Sequence, residues 1–554
     1  MDKKDGGVKT EKLFNFRPVF FLALSLCLGI VFYFYCYFNG VSAQWLFYLI
    51  PLAVTPFFFC RTRKKTVQTA VAVVALILSF FVGYFGLSLQ LAEHQEGETK
   101  VGEKLICGRV VEKREYKEYT GCVLDLLEFD GKQTNGKLIA YLPTSFFDKV
   151  EYCDLLLMQG EVHFKTLNGE NFALQANSLG EEIRFSVWTE EAQIVGNKFD
   201  LFLFLRARAE KTIEAGMDET PASVTKGVLF GNTSAIDDDL YENVRKGGIA
   251  HIFAVSGLHV GALFGFCLLL TKKTVLRKAS KIFRFLFLAV LLFLYAGICG
   301  FSASVVRATV ICLAAYAASL LGVKSDLLES LGLAAIVILL WKPSSLFEIG
   351  FQLSFFACLG IAFLSRSIGQ VFDEIRSLWR KVFPKIPTKA EMEAKENDDT
   401  LPLTIWEKTY KNVRDFFSAS LGAQIFTAPL LLCYFGYVSG WALILNCIFV
   451  PLVSVAFSLL LLLVAIACLF PLGISFVFLY LPNVIWSVLL LIFQVFGFSS
   501  FAISGSNISL GAIIAYYSGC IFFTDKWNLK RGLSVTLALM CFVAFAITMV
   551  ALNI

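Results

Sequence analysis

A chain of 554 residues that is 57% hydrophobic and 17% charged, with mean hydropathy +0.68, reads as a polytopic membrane protein and excludes a soluble single-core fold. The formal charge of +5 is too small to argue for a polyanionic partner by itself. Fifteen cysteines, mostly inside apolar runs and with no C-x-x-C pair, exclude a zinc ribbon or redox pair.

The first seventeen residues carry Lys3, Lys4, Lys9, Lys12 and Arg17 ahead of an apolar run from Pro18 to Phe38. That run is long for a signal-peptide core, although Val41-Ser42-Ala43 has the form of a cleavage site, and it reads as a retained helix. A second run, 45–60, ends on Arg61-Thr62-Arg63-Lys64-Lys65, and a third spans 67–89. Basic flanks stay in the cytoplasm, so the N-terminus is expected inside and the third helix exits. Residues 1–90 are thus the N-terminal transmembrane helices.

Residues 91–198 form a polar domain outside the membrane. Stretches 105–113, 121–129, 136–142, 155–164 and 183–195 have strand-like composition, with Asp130-Gly131, Asn135-Gly136 and Asn168-Gly169 as turn signals between them. About five short strands predict a small β-barrel. The domain holds 12 Lys/Arg against 19 Asp/Glu, a poor balance for gripping phosphates. Tyr116, Tyr119, Phe129 and Tyr141 could stack on bases, but filling the barrel core is the commoner use of such residues. Two of Cys107, Cys122 and Cys153 could form a disulfide in an oxidising compartment, leaving one thiol over; three buried reduced thiols is the alternative.

Residues 199–248 mix apolar and charged positions too densely to span, which fits amphipathic helices at the outer surface. From 249 to 554 the chain reads as a transmembrane domain. Its first crossing runs inward to about Thr271 and meets Lys272, Lys273, Arg277, Lys278, Lys281 and Arg284, in agreement with the topology of the first three helices. Runs at 285–301, 303–322, 327–341 and 348–368 follow, and then a basic connection, 369–415, whose stretch 385–400 reads as a solvated loop. Runs at about 416–436, 440–470, 473–500, 508–525 and 533–552 complete thirteen spans, with the C-terminus outside. Pro451, Pro471 and Pro482 mark places where a helix could break.

The stretch GGIAHIFAVSGLHVGALFG (247–265) puts two histidines, a serine and five glycines where a spanning helix normally carries Leu and Val. Polar groups at membrane depth cost several kcal/mol unless satisfied, so this is a packed interior face. GVLFGNTSAIDDDLYENVRKGGIAHIFAVSGLHVG, SASVVRATV (302–310), LLWKPSSLFEIGFQLSFFA (339–357) and SLGAQIFTAPLLLCYFGYVSGWALILNCIFVPL (420–452) together resemble the ComEC competence family, inner-membrane channels for incoming single-stranded DNA. The resemblance covers roughly residues 220–455. It implies an OB-like fold for the outer barrel, which with the surface helices would receive the strand. It also implies a DNA receptor and nuclease outside, and a cytoplasmic helicase or single-strand binding protein. Long family members continue into a metallo-β-lactamase-like domain. This chain stops at Ile554 with no H-x-H-x-D-H, so it is expected to be a short form that degrades no DNA.

The residues themselves leave several chemistries open. On a helix Ser256 and His259 would share a face, with His251 turned aside. A serine hydrolase needs a base, an orienter and oxyanion donors, and no third member offers itself. Zinc needs three or four ligands, so neither metal nor cofactor is expected. The alternatives are a structural polar contact and channel lining or gating, with Gly257 allowing close approach. Arg307 lies within an apolar helix, where it could pair with Glu329 or Glu348, or contact phosphates. Gln352, Ser354, Asn446 and Ser454 are further polar groups at membrane depth, and Pro429, Gly422, Gly436 and Gly440 could free backbone groups to line a cavity. No Walker A motif occurs; the nearest miss, Gly97 to Lys104, has Glu103 at the lysine position. The resemblance therefore implies a DNA channel of the bacterial inner membrane, and the residues add no motif of an enzyme. A small-molecule or ion transporter and an intramembrane hydrolase remain the rival readings.

Overall fold

Pro18 opens the first helix, where a missing N–H is harmless because first-turn donors lack intrahelical acceptors. This helix, α1 (Pro18–Phe38), begins a computed structural model that describes residues 17–39, 64–98, 102–115, 119–164, 177–273, 278–382, 405–495, 502–504, 510–524, 533 and 536–545, save positions 135, 148, 178, 181 and 254. They divide into two compact units, one of Arg17–Ser354 with Val450–Ser499, the other of Phe355–Phe449 with Ser500–Ile554.

In the first unit α2 (Lys64–Glu98) runs alongside α1 in the same direction, Leu22 beside Ser79 and Tyr33 beside Tyr84. The two approach closely because Gly29 lies on the Phe80 carbonyl and Gly83 on that of Leu26, where a Cβ has no room. Ser25 and Ser79 donate across the contact to the Leu76 and Leu22 carbonyls at 2.7 and 2.8 Å. The expected span at 45–60 lies outside the described residues.

The domain expected at 91–198 is a closed barrel. Strands β1 (Gly102–Glu115), β2 (Tyr119–Phe129), β3 (Lys137–Pro143), β4 (Asp154–Phe164) and β5 (Ile183–Trp188) pair in the order β1-β2-β3-β5-β4 and back to β1. Every pairing is antiparallel except β3 with β5. This is the Greek-key order of an OB-like barrel. Ile106, Val110, Leu124, Leu138, Leu156 and Phe185 fill it. The stretch 183–195, expected as one strand, is two: β6 (Ala192–Asn197) follows a turn in which the Thr189 hydroxyl accepts from the Glu191 N–H. Cys122 and Cys153 are buried, Cys107 is half-buried, and all three are separate free thiols.

Three helices lead away from the barrel: α3 (Leu201–Gly216), α4 (Glu219–Phe230) and α5 (Asp238–Lys246). Asp200 caps α3 by accepting from Phe202 and Leu203 N–H groups, and Arg109 of β1 ties that cap to Asp125 at 3.2 and 2.9 Å. Tyr152 donates to Glu210 at 2.9 Å, Arg206 donates to the same carboxylate at 3.0 Å, and the guanidinium lies over the Tyr152 ring. Burial drives the Tyr152 phenol far above its ordinary value, so the hydroxyl stays a donor. Within 199–248, expected as helices at the outer surface, α4 is instead mostly buried, from Pro221 to Phe230.

Helices α6 (Gly257–Lys273), α7 (Lys281–Ile298), α8 (Ala303–Leu320) and α9 (Leu327–Trp341) complete the apolar part of this unit with α10 (Ile349–Val382), which continues into the second. At the far end from the barrel, Arg17 pairs with Asp326, the cap of α9, at 2.7 Å. At the barrel end, Gln90 of α2 donates to Ser344 at 2.8 Å, and Asn177 accepts the Ile349 N–H at 2.9 Å, capping α10 from the barrel side.

The second unit holds α11 (Ile405–Phe435), β7 (Tyr437–Ser439), the start of α12 (Ala442–Ala467), β8 (Ala502–Ser504), α14 (Leu510–Phe522) and α15 (Thr536–Phe545); α13 (Ser475–Val495) belongs to the first. Gly360 of α10 meets the Gly422 carbonyl of α11, so two backbones touch there. Arg414 pairs with Asp373, and Arg376 lies 3.7 Å over Tyr410, so both helices extend into the connection expected at 369–415. The stretch 385–400 lies outside the described residues. Pro429, Pro451 and Pro482 lie inside continuous helices, whereas Pro471 stands in the break between α12 and α13. Among the described residues eight helical segments are long and apolar enough to cross a membrane, and four apolar helices are shorter, Gly257–Thr271 among them. The thirteen expected spans are therefore not all full-length helices.

Candidate functional site

The first crossing of the 249–554 domain is not helical from its start. Gly248, with φ +74°, turns the chain after α5, Ala250–Ile252 forms a single 3-10 turn, and α6 begins only at Gly257. His251 therefore precedes the helix, exposed, while Ser256 stands at its cap and His259 in its first turn. The helical-wheel relation expected of His251 to the other two does not hold, because His251 lies in the separate 3-10 turn ahead of the helix, whereas Ser256 and His259 do meet.

His259 is 1% exposed, and its ring lies flat on Phe457 of α12 at 4.6 Å with 11° between the planes. Its Nδ1 accepts the Ser256 backbone N–H at 3.4 Å, which leaves the proton on Nε2. The Ser256–His259 contact thus runs through backbone, not through the hydroxyl a nucleophile would offer. Tyr295 of α7 meets Phe457 edge-on at 6.0 Å and donates its hydroxyl to the Leu229 carbonyl at 2.9 Å. Cys299 donates to that same carbonyl at 3.5 Å. The end of α4 would otherwise leave it bare, because the chain turns away at Gly231, φ +77°.

Arg307 of α8 is 6% exposed and donates to the Ser354 carbonyl of α10. Its guanidinium fills the space at Gly257, where a Cβ would come within 2.5 Å of a terminal nitrogen. The Ser304 and Ser354 hydroxyls are 2.9 Å apart. One cation and two serines therefore join α6, α8 and α10. Gln352 donates to the Leu346 carbonyl at 3.0 Å and fixes the turn ahead of α10. Of the carboxylates expected as partners for Arg307, Glu348 pairs with Lys342 at 3.2 Å and Glu329 accepts the Phe20 N–H at 3.2 Å.

Seven of the expected site residues (His251, Ser256, Gly257, His259, Arg307, Gln352 and Ser354) thus lie in the first unit, while Asn446 belongs to the second. Asn446 is 8% exposed, and its Oδ1 has no hydrogen-bond partner among the described residues. Gln424 of α11, which the sequence reading passed over, has its Nε2 buried in the same condition. Enclosed water is the usual partner of such groups. Among the described residues no three His, Cys, Asp or Glu side chains gather as a metal site.

A family model described as "Competence protein" matches residues 228–530, from the last turn of α4 to beyond α14. The chain belongs to the competence protein family. One relative of this competence protein is ComE operon protein 3 of Bacillus subtilis (strain 168), 31% identical over 156 residues. The match spans 28% of this chain and one-fifth of that relative, 20% of its length. No solved structure matches the chain.

Proposed function

We propose that this competence protein is a channel of the bacterial inner membrane that passes a single DNA strand to the cytoplasm during natural transformation. Family membership supplies the process, and the observation that carries the channel reading is the polar junction of α6, α8 and α10. An arginine and a histidine, 6% and 1% exposed, sit at membrane depth on helices that small residues bring together. Ionisable groups there face protein or a water-filled path, and a polyanion needs such a path to cross lipid. The buried amides of Gln424 and Asn446 add polar surface in the second unit.

Thirteen crossings, with the N-terminus inside and the barrel and C-terminus outside, fit the basic blocks at 61–65, 272–284 and 526–531. In this reading each of the eight long helices, the four short apolar ones and the apolar run at 45–60 would cross once. The direction of transfer would come from partners, a receptor and nuclease outside and a helicase or single-strand binding protein inside. The chain itself acts as conduit and not as catalyst. Uptake of labelled DNA by cells that lack the gene tests this reading: loss, restored by the intact gene, is expected. Normal uptake would remove the DNA reading and favour a small-solute transporter, which midplane polar groups and proline-bearing helices also fit.

A further inference from the structure

The outer barrel carries an aromatic platform. Tyr119 and Tyr141, expected in its core, are not among the core residues; Phe129 is, at 3% exposure. Their rings gather instead on the outside with Trp188, which is 55% exposed. Tyr141 stacks on Trp188 at 4.3 Å and 23°, and Tyr119 meets the two edge-on at 5.3 and 5.1 Å. Strand register explains the grouping. Glu103 of β1 lies opposite Glu161 of β4, Glu161 opposite Trp188, Trp188 opposite Tyr141, and Tyr141 opposite Gly121. Directly opposed residues share a face, so this is one row across the barrel that ends at Gly121.

We infer that this row is a binding site for a neutral glycan, with the rings of Trp188 and Tyr141 under a sugar ring and Glu161 and Glu103 accepting its hydroxyls. Two kinds of ring suit an exposed aromatic platform, a nucleobase and a pyranose, and OB-like barrels hold both oligonucleotides and oligosaccharides. The charges decide between them. A nucleotide would bring its phosphate beside two exposed glutamates, in a domain of 12 basic and 19 acidic residues. A pyranose presents an apolar C–H face to the rings and donor hydroxyls to the carboxylates, and it carries no charge to repel. The inference rests on the outward placement of the barrel proposed above, which exposes it to the polysaccharide layer outside a bacterial plasma membrane. That placement has its own test, reaction of a cysteine introduced at Asn168 with an impermeant thiol reagent in intact cells.

The binding experiment uses the full chain in phospholipid nanodiscs, free of glycoside detergents, with chitohexaose and insoluble peptidoglycan as probes and oligo-deoxythymidylate as the rival. Saturable glycan binding is expected, weakened about tenfold or more by Trp188→Ala and by Glu161→Gln, and untouched by the oligonucleotide. Trp188→Phe should retain part of it, because a ring remains. Glu161→Gln, at an exposed position, keeps the test valid if Trp188→Ala fails to fold. Absence of glycan binding would overturn the inference, and so would oligonucleotide binding that Trp188→Ala abolishes.

Discussion

Pro429 lies inside α11 and lacks the N–H that would donate to the Ile425 carbonyl one turn earlier. The Tyr516 hydroxyl of α14 donates to that carbonyl at 2.8 Å, and the Tyr517 hydroxyl donates to the next one, Phe426, at 2.9 Å. The Phe426 carbonyl also has the Leu430 N–H within its own helix; the Ile425 carbonyl has no such donor. Tyr516→Phe removes the donor with little change of volume and leaves a buried acceptor bare. That costs about 1–2 kcal/mol, between the penalty for a lost buried partner and the smaller values found for bonds between membrane helices. Tyr517→Phe should cost less. In a Pro429→Ala background the alanine N–H restores the intrahelical bond, so Tyr516→Phe should become nearly neutral. The coupling between the two sites would then be about 1 kcal/mol. Equilibrium unfolding of the purified single and double variants in mixed micelles measures it. Additive effects, or a larger loss from Tyr517→Phe than from Tyr516→Phe, would refute the assignment.

Gly257→Ala should reduce membrane abundance and thermal stability by about 1–3 kcal/mol, because its Cβ would lie 2.5 Å from the Arg307 guanidinium. Gly261→Ala one turn on, where a Cβ meets nothing within 4 Å, should be silent; equal losses in a thermal-shift assay would refute the close contact. At Asp326, burial opposes ionisation, but hydrogen bonds from Arg17 and from the Glu329 and Leu328 N–H groups outweigh it and hold the carboxyl below its ordinary value. A depressed carboxylate contributes stability above its unfolded pKa, about 3.9, and loses that contribution as pH falls through the folded value. Asp326→Asn should therefore destabilise at pH 7 and progressively less below about pH 4, in unfolding measured across that range. Burial in the barrel core pushes the Cys122 thiol up to about 11. It should resist iodoacetamide until the domain unfolds, and alkylation mapped by mass spectrometry on the folded protein would contradict its place in the core.

Much of the fold was legible because membrane helices and turn pairs leave strong local signals. The runs at 18–38, 303–322 and 327–341 reappear as α1, α8 and α9 within two residues, since apolar length alone defines them. The barrel was legible as a barrel because Asp130-Gly131 and Asn135-Gly136 punctuate its strands. The face a side chain takes was less legible. Tyr119, Tyr141 and Trp188 come together through a parallel pairing of β3 with β5, a contact that no local pattern announces. At the candidate site, residue types pointed to Gly257, His259 and Arg307, and these do lie on adjoining helices. Their geometry was not readable, because the segment read as one crossing is a 3-10 turn at 250–252 followed by a helix that begins only at 257. Tyr516 escaped notice, although a proline within a helix always leaves one carbonyl to be satisfied from elsewhere.

The most direct test places a photo-crosslinking amino acid at Gln352, half-buried on α10 beside the Arg307–Ser354 contact, in cells taking up end-labelled DNA. A second cell line carries it at Val290, 59% exposed on α7, as a lipid-facing control. Flash irradiation during transfer should yield a protein–DNA adduct at Gln352, sensitive to a single-strand nuclease, with none at Val290. Normal uptake without any adduct at Gln352, or equal adducts at both positions, would contradict a path for the strand through the junction of α6, α8 and α10.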